Sequence, residues 1–120
     1  MSEKKRVLIV DDSEVMREMI SDILQEKGFE IAGEAKDGIE ALEQYKNLYP
    51  DIVTMDIVMP KENGIEAVKK IMDYDRNARI IVISGLDQKA LVIDALSAGA
   101  RDYVIKPFET TELFDAVSRA

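Results

Sequence analysis

Five short apolar runs alternate along this chain with five longer amphipathic segments, and that alternation leaves few architectures open. The runs are Val7-Leu8-Ile9-Val10, Glu30 to Ala35, Ile52 to Met55, Ile80-Ile81-Val82-Ile83 and Tyr103-Val104-Ile105. Each is short and bounded by turn or cap signals, so each reads as a strand. Between the first two, Val15, Met16, Met19, Ile20, Ile23 and Leu24 fall at helical spacing. The same period returns in Ile39, Ala41, Leu42, Tyr45 and Leu48, and in Ile65, Val68, Ile71 and Met72 after Asn63-Gly64. A fourth helix is expected from about Asp87 to Ala98, and a fifth through Leu113, Phe114 and Val117, capped by Thr110 or Thr111. Gly28 and Gly99 stand where helices end, and Pro50 blocks continuation of the second. The central runs are apolar without alternation, as strands covered on both faces are. Residues 30–35 carry Gly33 inside and are placed at an edge. The result is an α/β fold with a parallel sheet and helices on both sides, in one domain over residues 1–120.

In a parallel sheet all carboxyl ends lie on one edge, and ligands bind outside that edge where the strand order reverses. The first run ends in Asp11-Asp12, the third in Asp56, the fourth in Ser84 and the fifth in Lys106-Pro107. Each residue has a plainer reading. Asp11, Asp12 or Ser13 can simply cap a helix, Ser84 precedes a glycine, and lone lysines are usually solvated. Asp56 resists that treatment, because it closes a strongly apolar strand, where desolvating a carboxylate is costly. Four strands each deliver a chemically useful group to one edge, and the joint pattern outweighs the separate ones.

Composition narrows the chemistry. The chain has no histidine and no cysteine, which excludes imidazole general bases, zinc sites built on either residue, and disulfides. Three carboxylates brought together repel, and one retains a proton unless a cation intervenes. An all-oxygen donor set points to magnesium, which also bridges to phosphate oxygens. Lys106 and the Ser84 hydroxyl are suited to hold phosphoryl oxygens, and a carboxylate can itself become an acyl phosphate. The net charge of −8 argues against nucleic acid and leaves hard cations and basic protein surfaces as partners. No apolar run is long enough to cross a membrane, and the start, Met1 to Arg6, lacks the apolar stretch of a secretory signal. A cytoplasmic location is expected.

The stretches "VLIVDDS", "PDIVTMDIVMP", "NG" at 63–64, "IIVISG" and "AGARDYVIKPF" together resemble the receiver domains of two-component response regulators, and most closely their stand-alone chemotaxis members. The likeness runs over essentially the whole chain. It implies a flavodoxin-like, doubly wound (βα)5 fold with a five-stranded sheet in the order 2-1-3-4-5. It implies that Asp56 accepts a phosphoryl group from a phosphohistidine on a sensor histidine kinase. Asp12, Asp56 and the backbone carbonyl of Val58 would ligate Mg2+, with Asp11 acting directly or through water. Lys106 would bind the phosphoryl group, across a cis bond to Pro107. Ser84 would be the switch hydroxyl and Tyr103 the aromatic that follows it. Such a protein catalyses its own phosphorylation and dephosphorylation rather than turning over a separate substrate. Val58 and Leu86 occupy positions that influence loss of the phosphoryl group, and neither can hydrogen-bond a water, so slow self-dephosphorylation is expected.

The fourth helix carries more apolar residues than one face buries. A turn of 100° per residue puts Ala90, Ile93, Leu96 and Ser97 on the expected core face, and leaves Leu91, Val92 and Ala95 as a docking patch near Tyr103. The resemblance implies that this face, with the fifth strand and helix, binds a motor switch or adaptor protein. It also allows a dedicated phosphatase as partner and a monomeric state. The nearest alternative is a phosphorelay intermediate that passes its phosphoryl group to another protein. An aspartyl phosphatase of the haloacid dehalogenase type needs a D-x-D pattern that "DDS" lacks. A flavin module would need a Ser/Thr/Gly-rich phosphate loop, where this chain has two acids.

Overall fold

The computed structural model describes residues 4–120; Met1, Ser2 and Glu3, on which part of the leader argument rests, lie outside the described residues. In chain order the elements are β1 (Arg6–Val10), α1 (Glu14–Glu26), β2 (Glu30–Ala35), α2 (Gly38–Leu48), β3 (Ile52–Asp56), α3 (Gly64–Tyr74), β4 (Ile80–Gly85), α4 (Lys89–Ala98), β5 (Asp102–Lys106) and α5 (Thr110–Arg119). The five strands form one parallel sheet in the order β2-β1-β3-β4-β5, so the flavodoxin-like expectation holds. Strand order reverses between β1 and β3, and this opens a crevice at their carboxyl ends.

The sheet divides the interior into two cores. On one side Val7, Ile9, Ile52, Ile81, Ile83 and Val104 pack against Ile20 and Leu24 of α1 and Leu113 and Val117 of α5. On the other side Leu8, Val10, Val53, Met55 and Val82 pack against α2, α3 and α4. Burying one Ile or Leu fully stabilises by about 2 kcal/mol. β3 is buried over its whole length, and β4 is buried from Ile80 to Ser84, so the polar residues that end them are carried on firmly anchored strands. β2 is half-exposed along most of its length, as an edge strand should be. Its pairing with β1 slips between Val7↔Ile31 and Leu8↔Gly33, leaving Ala32 as the extra residue of a bulge.

Three helices start with a side chain that accepts from a first-turn amide: Ser13 from Met16 (3.2 Å), Asp37 from Glu40 (2.8 Å) and Asn63 from Glu66 (3.0 Å). α5 departs from expectation. Neither Thr110 nor Thr111 is its cap; Glu109 is, and the Glu112 carboxylate reaches back to the Glu109 N–H at 2.8 Å. α4 also starts differently. Its N-cap, Gln88, caps no first-turn amide; its side-chain oxygen accepts from the Gly85 N–H at 2.7 Å, while its own N–H donates to the Gly85 carbonyl at 3.2 Å. The helix therefore begins at Lys89 rather than near Asp87.

The rotation of α4 is the main correction. Val92 and Ala95, expected on the surface, are buried, and Leu91 is half-buried against the same core. Ile93 and Leu96, expected inside, are 58% and 37% exposed. The apolar residues cover most of the circumference, so periodicity alone cannot choose a face. In the structure Val92 and Ala95 face the core, with Leu91 and Ala98 packed against it. The exposed apolar residues of this region, Leu86, Ile93, Leu96 and Tyr103, line a groove of about 340 Å³ between α4 and β5.

Candidate functional site: an acidic cluster at the sheet edge

β1 runs apolar to Val10 and delivers Asp11 at its end, 1% exposed, with Asp12 exposed beside it. β3 delivers Asp56, 6% exposed. One carboxylate oxygen from each of Asp11, Asp12 and Asp56 lies within 4.8 Å of the others. From the far side of the sheet, β5 brings Lys106, whose Nζ sits 3.3 Å from Asp11 Oδ2 and 3.5 Å from Asp56 Oδ1. Its peptide bond to Pro107 is cis, as the resemblance implied. On β4 between them, Ser84 is fully buried, and its hydroxyl has no hydrogen-bond partner among the described residues. Buried hydroxyls are normally satisfied, and the Thr54 hydroxyl on β3 is likewise without a partner.

The electrostatics are strained in one direction. Asp56 is pushed up from 3.8 to about 6, first by burial and then by the Asp11 charge, with Asp12 adding to it; Lys106 opposes both but does not cancel them. Three acids and one ammonium leave the cluster with excess negative charge. The donor set is oxygen throughout, and its spacing suits a small hard cation shared between carboxylates, so the residues present fit Mg2+.

The loops that carry these groups are tightly tied. The Asp11 N–H donates to the Ala35 carbonyl at 3.0 Å, and Asp11 Oδ1 accepts from the Ser13 N–H at 2.9 Å. After Asp56 the chain turns through Ile57, whose carbonyl accepts from the Gly64 N–H at 2.7 Å. A Cβ on Gly64 would collide with the Asp56 carbonyl oxygen and stand 2.7 Å from Ile57 Cα. The start of α3 thus rests directly on the peptide that follows the central carboxylate. Val58, two residues beyond Asp56, is 52% exposed, and Leu86, two beyond Ser84, is 77% exposed; both stand at the surface of the loops that flank the cluster.

All five residues expected at the sheet edge, Asp11, Asp12, Asp56, Ser84 and Lys106, therefore lie on one side of it, four of them in direct proximity and Ser84 in the next strand position. Tyr103 lies on β5, 45% exposed and pointing into the α4–β5 groove. Leu91, Val92 and Ala95 are not part of an exposed patch. Sequence reasoning passed over Arg17, on α1, whose Nη1 donates to the Asp11 carbonyl at 2.7 Å and whose Nε pairs with Glu34 Oε1 at 2.9 Å. It also took Gly64 for a helix start alone. A glycine in the first turn of a helix, beside a good Asn cap, was the available signal, because it weakens a helix without local need.

This fold, with three acids at the reversal point and a lysine facing them, defines a class of protein. The chain belongs to the response regulator receiver domain family, whose profile matches residues 7–118. It is 55% identical over 115 residues to the chemotaxis protein CheY of Thermotoga maritima, covering 96% of each chain. It is 49% identical over 114 residues to CheY of Bacillus subtilis, covering 95% of each. Among solved structures it is similar to the crystal structure of the CheX–CheY–BeF3–Mg2+ complex from Borrelia burgdorferi, with a TM-score of 0.91 and 43% identity over 96% of this chain and 87% of that one. Among the described residues, no helix is long and apolar enough to cross a membrane.

Proposed function

We propose that this receiver is a phosphorylation-driven signalling switch of the chemotaxis type, acting in the cytoplasm, with Asp56 as phosphoacceptor. The observation that carries the reading is the buried Asp56 held between two further acids and Lys106, beside the unpartnered Ser84 hydroxyl. An ionised Asp56 oxygen attacks the phosphorus of a phosphohistidine on a sensor histidine kinase. The P–N bond breaks, its electron pair returns to the imidazole, and the product is an acyl phosphate on Asp56. Asp11, Asp12, Asp56 and the Val58 carbonyl would hold Mg2+, which when bound neutralises charge on the phosphoryl oxygens. Lys106 meets a phosphoryl oxygen from the opposite side, and Ser84 gains the acceptor it lacks. A ligand shifts a two-state protein only through contacts that differ between the states. Ser84, moving towards the phosphoryl group, supplies that difference, and Tyr103 transmits it to the α4–β5–α5 face. On that face the docking residues are Ile93, Leu96 and Tyr103, in place of Leu91, Val92 and Ala95, and the target is a motor switch or adaptor protein.

The test is intact mass after incubation with acetyl phosphate, in magnesium and in EDTA. One phosphoryl adduct is expected in magnesium, none in EDTA, and none in Asp56→Asn. An adduct that persists in Asp56→Asn would place the chemistry elsewhere. Followed over time, the adduct is expected to decay over minutes rather than seconds, because neither Val58 nor Leu86 offers a group to orient the attacking water. Decay within a few seconds would show that another group does so.

A further inference from the structure

We infer that Arg17 is the positioning residue of the cation site, acting on Asp12 through the backbone of Asp11; this rests on the receiver reading above. Every polar atom of Asp11 is engaged. Its N–H goes to the Ala35 carbonyl, Oδ1 takes the Ser13 N–H, Oδ2 faces Lys106, and its carbonyl takes Arg17 Nη1 at 2.7 Å. Asp12 is the opposite case. It is exposed, and its carboxylate has no hydrogen bond or ion pair among the described residues, yet it must stand within 4.8 Å of its two neighbours. The fixed part of its setting is the peptide it shares with Asp11, which places its Cα. The carbonyl of one and the amide of the next lie in one rigid plane, so fixing the Asp11 oxygen fixes the direction in which Asp12 departs.

Arg17 is built to do this. Its side chain is 16% exposed, and its guanidinium is held on the other hand by Glu34 of β2 at 2.9 Å. Glu34 precedes Ala35, whose carbonyl takes the Asp11 amide. The edge strand therefore braces the β1–α1 turn twice, once through its own backbone and once through Arg17. A planar fork can serve Glu34 and the carbonyl at once, whereas a single ammonium cannot hold both with the same geometry. The arrangement also yields a sign that separates positioning from simple charge. A guanidinium close to a cation site repels the cation, so loss of Arg17 by charge alone would tighten magnesium binding. Loss of positioning weakens it.

The experiment is calorimetric titration of the metal-free full chain with magnesium, for the wild type, Arg17→Ala, Arg17→Lys and Glu34→Gln. Arg17→Ala is expected to bind magnesium about tenfold more weakly, the usual effect of removing a group that orients a ligand. Arg17→Lys keeps the charge and is expected to be weakened as well; Glu34→Gln, which spares the carbonyl bond, is weakened less. Phosphorylation by acetyl phosphate should need correspondingly more magnesium but reach the wild-type maximum at saturation. Equal or tighter binding in Arg17→Ala would overturn the inference. If that variant does not fold, unchanged affinity in Arg17→Lys and Glu34→Gln would overturn it instead. A wild type that binds no magnesium would remove the receiver reading and this inference together.

Discussion

Asp56→Asn is expected to make the protein more stable in EDTA at neutral pH, by about 3 kcal/mol, or roughly 10 °C in melting temperature. The reason is the raised pKa of this carboxyl, about 6 in place of 3.8, caused first by burial and second by Asp11. A carboxyl whose folded value lies above its unfolded value makes the fold prefer the protonated form. The penalty is absent below about pH 4, grows between that point and about pH 6, and is complete above it. The side chain is only 8% exposed, so solvent screens little of it. The stability difference between variant and wild type should thus be near zero at pH 4 and rise to its full value by pH 7, read from denaturant unfolding across that range. Adding magnesium should close the gap, because the wild type gains a ligand that the variant binds less well. A difference that does not change with pH would mean that burial of the Asp56 charge is not the cause.

Gly64→Ala is expected to cost about 3 kcal/mol or more and to slow phosphorylation about a hundredfold. The added methyl meets backbone, the Asp56 carbonyl and Ile57 Cα, and not the movable end of a side chain. Either the first turn of α3 lifts, losing the Gly64–Ile57 hydrogen bond, or the peptide after Asp56 rotates and takes the carboxylate with it. Gly28→Ala is the control. Gly28 has a left-handed φ of 96° but nothing within 4 Å, so alanine there strains the chain by about 1 kcal/mol and leaves the sheet edge untouched. Both variants are checked by chemical denaturation and by the rate of adduct formation. Equal effects of the two would mean that the contact with Asp56 is of no consequence.

The layered fold was legible because strands covered on both faces write themselves as unbroken apolar runs. The site was legible because a parallel sheet sends every strand end to one edge, so Asp11, Asp56, Ser84 and Lys106 could be gathered without knowing the strand order. The order itself came from the resemblance, not from the pattern. Strand ends were read one or two residues short at Asp56, Gly85 and Lys106, since backbone pairing continues under polar side chains as readily as under apolar ones. α4 was turned the wrong way because a helix apolar on most sides carries no direction in its periodicity. The start of α5 was misplaced because Glu112 completes the cap from within the helix, leaving the threonines unused. Arg17 gave no warning at all. Its partner at the site is a carbonyl oxygen, which every residue has.

The start of α4 has a consequence for where the molecule can yield. Gln88 turns its amide group back onto Gly85, so the opening turn of this helix has no side chain to close it, while Ser13, Asp37 and Asn63 close three of the others. A missing cap is worth about 1 kcal/mol. Fraying is therefore cheapest in the turn next to Ser84, on the helix that flanks the exposed groove. The carboxyl edge is therefore held in two ways: side chains close the helix turns that follow β1 and β3, whereas the turn after β4 is tied only back to its own strand end, so that the first turn of α4 can rearrange at less cost and change the outline that another protein reads.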